Sequence, residues 1–368
     1  MNFSYLMPVK VIMGKNCIKN NAQVFNTGWK KALIVTGRRS AKINGAEKDV
    51  CDALSICGIE WDIFDQVEPN PSIGNVRKGA EAAKKTDADF IIGIGGGSPI
   101  DAAKAIAFLS TNDVDDENLF SSSFDIKPLP VIAVPTTAGT GSEVTQYSII
   151  TVPAENTKKN LGDISLFPVF AFLDATYMEK LPSDISVNTA VDALSHAIES
   201  YLSKRNTTMS SFIALESMTV LGECLHQLIT GDNPLFEVRE KLLYASMLGG
   251  IAISQTGTTV VHAMGYSLTC MSDIDHGKAN GLLMCEFIKF VTSENTEKVK
   301  NIFKALGVKD IKAFEVLFVQ LLGTFKELSE AELKQFTDLA VSAKSIANTV
   351  PEPTYDDIYG LLKRSVGK

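Results

Sequence analysis

Short apolar runs alternate with longer amphipathic stretches through the first half of the chain, and the alternation then stops. Residues 9–13, 32–36, 61–64, 90–94, 131–134 and 171–173 are brief, apolar and often β-branched, as strands are. Between them, 46–57, 73–85 and 99–108 space their apolar residues at helical intervals. This strand–helix order predicts a mostly parallel sheet with helices on both faces. FIIGI (90–94) and VIAV (131–134) are apolar throughout, as strands covered on both faces must be. From about Thr176 strand-like runs vanish, and helical spacing continues to the C-terminus, with Leu181-Pro182-Ser183 as a start signal. The expected organisation is an α/β domain over 1–178, with a Rossmann-like parallel sheet, followed by an all-helical domain over 179–368. A length of 368 residues suits two domains. Clefts between domains are where small molecules usually bind.

Composition narrows the field. Hydrophobic content of 45% and charge of 21% describe an ordinary globular protein, and a net charge of −8 argues against a nucleic-acid partner. The six cysteines (Cys17, Cys51, Cys57, Cys224, Cys270, Cys285) form no C-x-x-C pair and read as small hydrophobes in a reducing compartment. The N-terminus shows no basic segment followed by an apolar core, so no secretory signal is expected and the cytoplasm is the expected location. Residues 242–272 carry no Asp, Glu, Lys or Arg, but they are rich in Gly, Ser and Thr and include His262. A buried helix pair beside a site fits them better than a membrane span.

FIIGIGGGSPIDAAKAIAF (90–108) reads as strand, glycine turn and helix. Gly95, Gly96 and Gly97 let the backbone approach a bulky anion, and the helix that follows aims free N–H groups and its positive dipole end at it. Ser98 is placed as the N-cap and Asp101 in the first turn. A tight connection without a ligand explains the same residues. The pattern is not G-x-G-x-x-G and follows a later strand, which disfavours an ordinary Rossmann dehydrogenase. A second loop, VIAVPTTAGTGSEVT (131–145), offers the hydroxyls of Thr136, Thr137, Thr140 and Ser142 to phosphate and ribose oxygens, or is simply a polar surface loop. Two such loops after neighbouring parallel strands favour a nucleotide.

The chain has four histidines. Asp192 and His196 stand at i, i+4 in VDALSHAIESYL and share a helix face. His262 lies in the uncharged segment and His276 in DIDHGKANG. Three imidazoles and one carboxylate suit a borderline divalent ion such as Fe²⁺ or Zn²⁺. A lone histidine is more often a structural or surface residue, and His226, in GECLHQLI, keeps that reading.

Together these stretches resemble the iron-containing (group III) alcohol dehydrogenases. The matching segments are GGGSPIDAAK (95–104), PTTAGTGSEVT (135–145), VDALSHAIE (191–199) and HAMGY…DHGKANG (262–281), with FSYLMPVKVIMG and VEPNPSI (67–73) in support. The resemblance spans nearly the whole chain. It implies a dehydroquinate synthase-like two-domain fold, with a dinucleotide-binding α/β domain and a helical metal-binding domain. Asp192, His196, His262 and His276 become the metal ligands, Gly96, Gly97 and Ser98 take the pyrophosphate, Thr137, Thr140 and Ser142 line the cofactor site, and Asn70 and Lys159 also reach the dinucleotide. It further implies a homodimer or larger homo-oligomer.

Two positions depart from the commonest pattern. Many members carry a second histidine, credited with proton relay, where this chain has Tyr266; the tyrosine is read as pocket-lining, with an optional relay role. At the end of the second strand, LIVTGRRS (33–40), an acidic residue would bind the adenosine ribose and repel a 2′-phosphate. Gly37 removes that repulsion, and Arg38, Arg39 and Ser40 follow, with forks suited to phosphate oxygens. NADP(H) preference is expected, with NAD(H) use as the alternative.

The implied chemistry is reversible hydride transfer between a small alcohol or aldehyde and the nicotinamide, assisted by the metal as a Lewis acid. Ile253, Tyr147 and Tyr266 are candidate pocket walls. A dehydroquinate-synthase-like lyase would need a basic pocket that the helical half does not display. A glycerol-dehydrogenase-like relative and a non-catalytic binding protein on the same fold remain as alternatives, the latter opposed by the intact ligand set.

Overall fold

Each apolar run of the first half is a strand in the computed structural model, which describes residues 3–121, 126–155, 157–230, 234–272, 274–323, 325 and 327–367. In chain order the elements of this half are β1 (Lys10–Met13), α1 (Cys17–Asn20), β2 (Lys31–Thr36), α2 (Ser40–Asn44), α3 (Ala46–Ile56), β3 (Glu60–Phe64), α4 (Ile73–Thr86), β4 (Phe90–Gly95), α5 (Gly97–Thr111), β5 (Val131–Pro135), β6 (Ile149–Val152), β7 (Thr157–Asn160) and β8 (Phe170–Leu173). Six strands form one sheet in the order β1-β8-β5-β4-β2-β3, and every pairing in it is parallel.

The register explains why the central strands are apolar at every position. Leu33, Ile91 and Val131 stand side by side and face α4 and α5, packing with Val76, Ala80 and Ile106. One residue further along, Ile34, Ile92 and Ile132 face the opposite way, towards Ile18 of α1 and Val50 and Leu54 of α3. Both faces of the sheet are therefore core. Gly93 allows β4 and α5 to touch, since a Cβ there would lie 2.9 Å from the Cβ of Ala103.

One feature of this half goes beyond the sequence reading. β6 and β7 form a separate antiparallel hairpin, with Thr151 opposite Lys158 and Ile150 opposite Lys159. Lys104 of α5 anchors the segment leading into it. Its fully buried ammonium donates to the Ser142 and Tyr147 carbonyls, both at 2.7 Å, and to the Ser142 hydroxyl at 2.9 Å.

The second half is helical: α6 (Ser183–Leu202), α7 (Thr208–Leu228), α8 (Phe236–Thr256), α9 (Val260–Ser272), α10 (His276–Ala305), α11 (Ile311–Leu322), α12 (Glu330–Val341) and α13 (Tyr355–Val366). Local sequence sets several of the starts. Thr207, Ser329 and Thr354 close capping boxes with Ser210, Glu332 and Asp357. The uncharged segment is two helices, α8 and α9, separated at Gly257 with φ of +69°. Among the described residues no helix is long and apolar enough to cross a membrane.

The chain forms two units. One comprises Met7–Thr137 and Ser142–Leu181; the other comprises Met1–Leu6, Ala138–Gly141 and Pro182–Lys368. The middle of the Thr/Gly loop thus belongs to the helical unit. Its glycines are required there, because a Cβ on Gly139 would lie 2.8 Å from Thr189 of α6, and one on Gly141 2.5 Å from Gly250 of α8.

Candidate metal centre and nucleotide site

Three helices of the second unit bring four side chains to one point. Asp192 and His196, one turn apart on α6, face the same way because four residues span about one helical turn. His262 comes from the first turn of α9, and His276 opens α10. The Nε2 atoms of His196, His262 and His276 lie 3.9, 3.8 and 3.8 Å from a single oxygen, Oδ1 of Asp192. Asp192, His196 and His262 are buried, with ligand atoms within 4.8 Å of one another, while the His276 side chain keeps 24% of its surface exposed.

Glycines make this approach possible. A Cβ on Gly265 would fall 2.0 Å from the Asn280 side-chain oxygen, so α9 can lie against α10 only without one. A Cβ on Gly277 would lie 1.8 Å from the Asn188 carbonyl oxygen, which fixes how closely α10 begins against α6.

The outer nitrogens of the imidazoles show how each ring is held. His196 Nδ1–H donates to the Gly139 carbonyl at 3.2 Å. His262 Nδ1–H donates to the Glu199 carboxylate. Thr269 uses its proton on the Gly265 carbonyl (2.8 Å), so its oxygen is left to accept from His276 Nδ1–H at 3.4 Å. A carbonyl or an ionised carboxylate only accepts, so the proton sits on Nδ1 and each Nε2 lone pair faces the common centre. The Asn280 amide nitrogen touches Asp192 Oδ1 (3.1 Å), His262 Nε2 (3.2 Å) and His276 Nε2 (3.3 Å), and its oxygen has no partner among the described residues.

Electrostatics follow from the packing. Burial pushes the Asp192 carboxyl up, but the imidazoles of His196, His276 and His262 outweigh it and hold the group below its ordinary range. Burial depresses His196, whereas at His262 the Glu199 carboxylate reverses the effect of burial and raises the imidazole. The donor set fits a borderline divalent cation: three nitrogens and one oxygen about 2.0–2.2 Å from a common centre are separated by roughly 3–4 Å. Tyr266 stacks on the His276 ring at 5.3 Å and meets the His262 ring edge-on at 6.1 Å. His226 is exposed on α7.

In the α/β unit the glycine turn has the expected place at the carboxyl end of β4. Gly95 has φ of +150°, and a Cβ there would strike Pro99 at 2.5 Å. The N-cap is Gly96, with Gly97 and Ser98 opening α5, which corrects the placement of Ser98 as cap. The Ser98 hydroxyl instead accepts the backbone N–H of Asn70 at 3.1 Å. Asp101 lies beyond the first turn. Its carboxylate takes the Ser142 hydroxyl and the Ile149 N–H (3.0 Å), tying α5 to the hairpin rather than capping the helix. Ser142 is buried with its hydroxyl committed to Asp101 and Lys104. Thr136 is buried next to Gly95, to whose carbonyl it donates at 2.9 Å, and Thr137 approaches Gly96. The two loops are therefore neighbours. Thr140 lies in the segment that belongs to the helical unit.

Asn70 adopts φ of +54°, and its side-chain oxygen accepts from Lys158 at 2.9 Å. Lys159, named from the sequence, pairs instead with Glu155 at 2.6 Å. Alternate strand residues point to opposite sides, so the lysine beside Asn70 is Lys158. At the end of β2, Gly37 is half-buried and Arg38, Arg39 and Ser40 are exposed, with no side-chain partner for either arginine among the described residues. Of the pocket-wall candidates, Ile253 is buried in α8, while Tyr147 is half-buried in the α/β unit.

Glu199, Asn280 and Thr269 were not singled out from the sequence. Glu199 carried a legible signal, since it follows Asp192 by seven residues and His196 by three, on the same helical face.

A parallel sheet with a glycine turn opening a helix, joined in sequence to a helical unit with an Asp/His₃ cluster, suits the class of two-unit oxidoreductases. The chain belongs to the iron-containing alcohol dehydrogenase family: residues 8–175 match the model for iron-containing alcohol dehydrogenase, and 186–366 match that for the C-terminal part of the Fe-containing alcohol dehydrogenase family. It is accordingly an oxidoreductase acting on alcohols. The NADPH-dependent butanol dehydrogenase of Clostridium saccharobutylicum is 32% identical over 330 residues, covering 89% of this chain and 83% of the relative. The NAD-dependent methanol dehydrogenase of Bacillus methanolicus is 31% identical over 306 residues, covering 83% and 80%. An iron-containing alcohol dehydrogenase structure from Thermotoga maritima superposes with a TM-score of 0.91 at 38% identity, covering 100% of both chains.

Proposed function

We propose that this protein is a divalent-metal-dependent alcohol dehydrogenase and aldehyde reductase that prefers NADP(H), with the metal, Fe²⁺ or Zn²⁺, held by Asp192, His196, His262 and His276. The observation that carries the reading is the convergence of three imidazole Nε2 atoms on one buried carboxylate oxygen. Imidazoles facing one another around a buried carboxylate, each with its proton turned outward, form an arrangement that a cation stabilises. When bound, the ion supplies Lewis acidity towards the oxygen of an alcohol or aldehyde.

The chain's own residues do the rest. Asp192 brings negative charge, and Gly139, Glu199 and Thr269 orient the rings. His276 is the least buried of the four, and Tyr266 stacks on its ring, which supports the reading of this tyrosine as pocket-lining. In the division of labour proposed here, residues 1–178 hold the dinucleotide and residues 179–368 hold the metal. The N–H groups of Gly96, Gly97 and Ser98 bind the pyrophosphate, with Thr137 beside them and Asn70 and Lys158 on the hairpin side. Gly37 leaves room for a 2′-phosphate, which the unpartnered Arg38 and Arg39 attract. The Clostridium and Bacillus relatives are named for different cofactors, so the preference rests on these residues.

The substrate class is small alcohols and aldehydes, in line with the names of the relatives. A reducing compartment such as the cytoplasm agrees with six unbridged cysteines, and a homodimer or larger assembly agrees with the family. The test is a steady-state assay with an alcohol panel, comparing kcat/KM for NADP⁺ and NAD⁺ in metal-loaded and chelated protein. Cofactor reduction that needs the metal and favours NADP⁺ is expected; a clear NAD⁺ preference refutes the cofactor assignment.

A further inference from the structure

Behind the Asp/His cluster lies a buried carboxylate that touches the outer nitrogen of one imidazole. Glu199 of α6 is fully buried, and both of its oxygens are committed to Thr259 and the first turn of α9. Oε1 accepts the Thr259 N–H (2.8 Å), the Thr259 hydroxyl (2.6 Å) and the His262 N–H (3.3 Å). Oε2 accepts Nδ1–H of His262. The backbone donors belong to the start of α9, where a helix leaves N–H groups without internal partners. The neighbouring Val260 N–H is met by the Thr349 hydroxyl at 3.1 Å. One carboxylate from another helix therefore caps α9 and grips the imidazole that α9 carries.

We propose that Glu199 is the second anion of the metal centre, a positioning residue that acts through His262. The inference rests on the metal reading above. Two observations carry it beyond a capping role. One acceptor suffices to cap a helix, whereas Glu199 meets four donors and turns its second oxygen to the imidazole of His262. Asp192 and Glu199 together supply two negative charges, which match one divalent ion. The double grip also sets two coordinates of the ligand at once: Oε1 fixes where the first turn of α9 stands, and Oε2 fixes ring rotation and tautomer, leaving Nε2 free to ligate.

Glu199→Gln separates the two roles. Its side-chain oxygen still accepts the Thr259 and His262 backbone N–H groups, so the cap survives. Its amide then meets His262 Nδ1 donor to donor, which drives the ring proton to Nε2, the ligating atom. With Zn²⁺ alone as the probe, competed against a chromophoric chelator, we expect the metal-free variant to melt near metal-free wild type while binding Zn²⁺ about 10–100-fold more weakly. Equal affinity in variant and wild type overturns the role of Glu199 and leaves the metal site standing. Wild type that fails to bind Zn²⁺ overturns the metal reading, and this inference with it. Ring-nitrogen NMR of the Zn²⁺-loaded wild type tests the same point without a variant: a proton on His262 Nδ1 supports the proposal, and a proton on Nε2 overturns it.

Discussion

Asp192 is the residue on which the cluster turns, because all three imidazoles are measured against its one oxygen. Asp192→Asn keeps the shape and the contact with Asn280 but removes the charge. Metal affinity is expected to fall at least tenfold, on the order of the change seen when a single ligand or its partner is lost, and equilibrium dialysis measures it. Tyr266→Phe retains the ring stacked on His276. It is expected to bind metal normally while changing the pH profile of turnover; an unchanged profile removes the tyrosine from any relay. Gly37→Asp is sterically open, since a Cβ there meets only the Val67 carbonyl at 3.8 Å. A carboxylate beside a 2′-phosphate is expected to lower the NADP⁺ to NAD⁺ ratio of kcat/KM about tenfold or more. The convergence of Asp192 with three histidines was legible because three of only four histidines fall in specific motifs. That Lys158 rather than Lys159 meets Asn70 was not legible, because adjacent strand residues differ only in side, and a sequence does not state which side faces a given neighbour.

Among the elements, α9 and α10 meet through Gly265. Gly265→Ala would place its Cβ 2.0 Å from the Asn280 oxygen. Separation of the two helices should cost about 1–3 kcal/mol and reduce metal content per chain, as read by melting and metal analysis. In the α/β unit, Glu143 lies fully buried beside Lys104, with one carboxylate oxygen unpartnered. Burial pushes its pKa up to about 7 from an ordinary value of 4.5. The folded state then holds the proton more tightly than the unfolded state, so this contribution is full below pH 4.5 and is lost as pH rises through 7. The difference in unfolding free energy between wild type and Glu143→Gln should fall across that window by on the order of 3 kcal/mol; a flat difference contradicts the burial argument. Strands β2, β4 and β5 were readable because two-sided burial leaves an uninterrupted apolar run. The β6–β7 hairpin was not, because TKKN has neither apolar alternation nor a turn signal. Ser98 was misplaced as cap because the helix begins two residues earlier than the apolar spacing indicates, on glycines that carry no periodicity.

At the scale of the whole molecule, the order β1-β8-β5-β4-β2-β3 places the ends of β2 and β4 side by side. The exposed arginines and the glycine turn thus lie at the carboxyl ends of neighbouring strands, where open α/β sheets bind ligands. The helical unit contributes the Asp/His cluster, and both units match the corresponding family models. An ion bound only by the folded state raises stability by about 2.7 kcal/mol when its free concentration is roughly 100 times Kd. Chelation is therefore expected to lower the thermal midpoint, and Zn²⁺ or Fe²⁺ to restore it. The most direct test of the account joins metal analysis to cofactor turnover on the same sample. One divalent ion per chain is predicted, with alcohol-dependent NADP⁺ reduction that disappears on chelation, returns with the ion and is absent in Asp192→Asn. Full turnover in protein stripped of metal would contradict it.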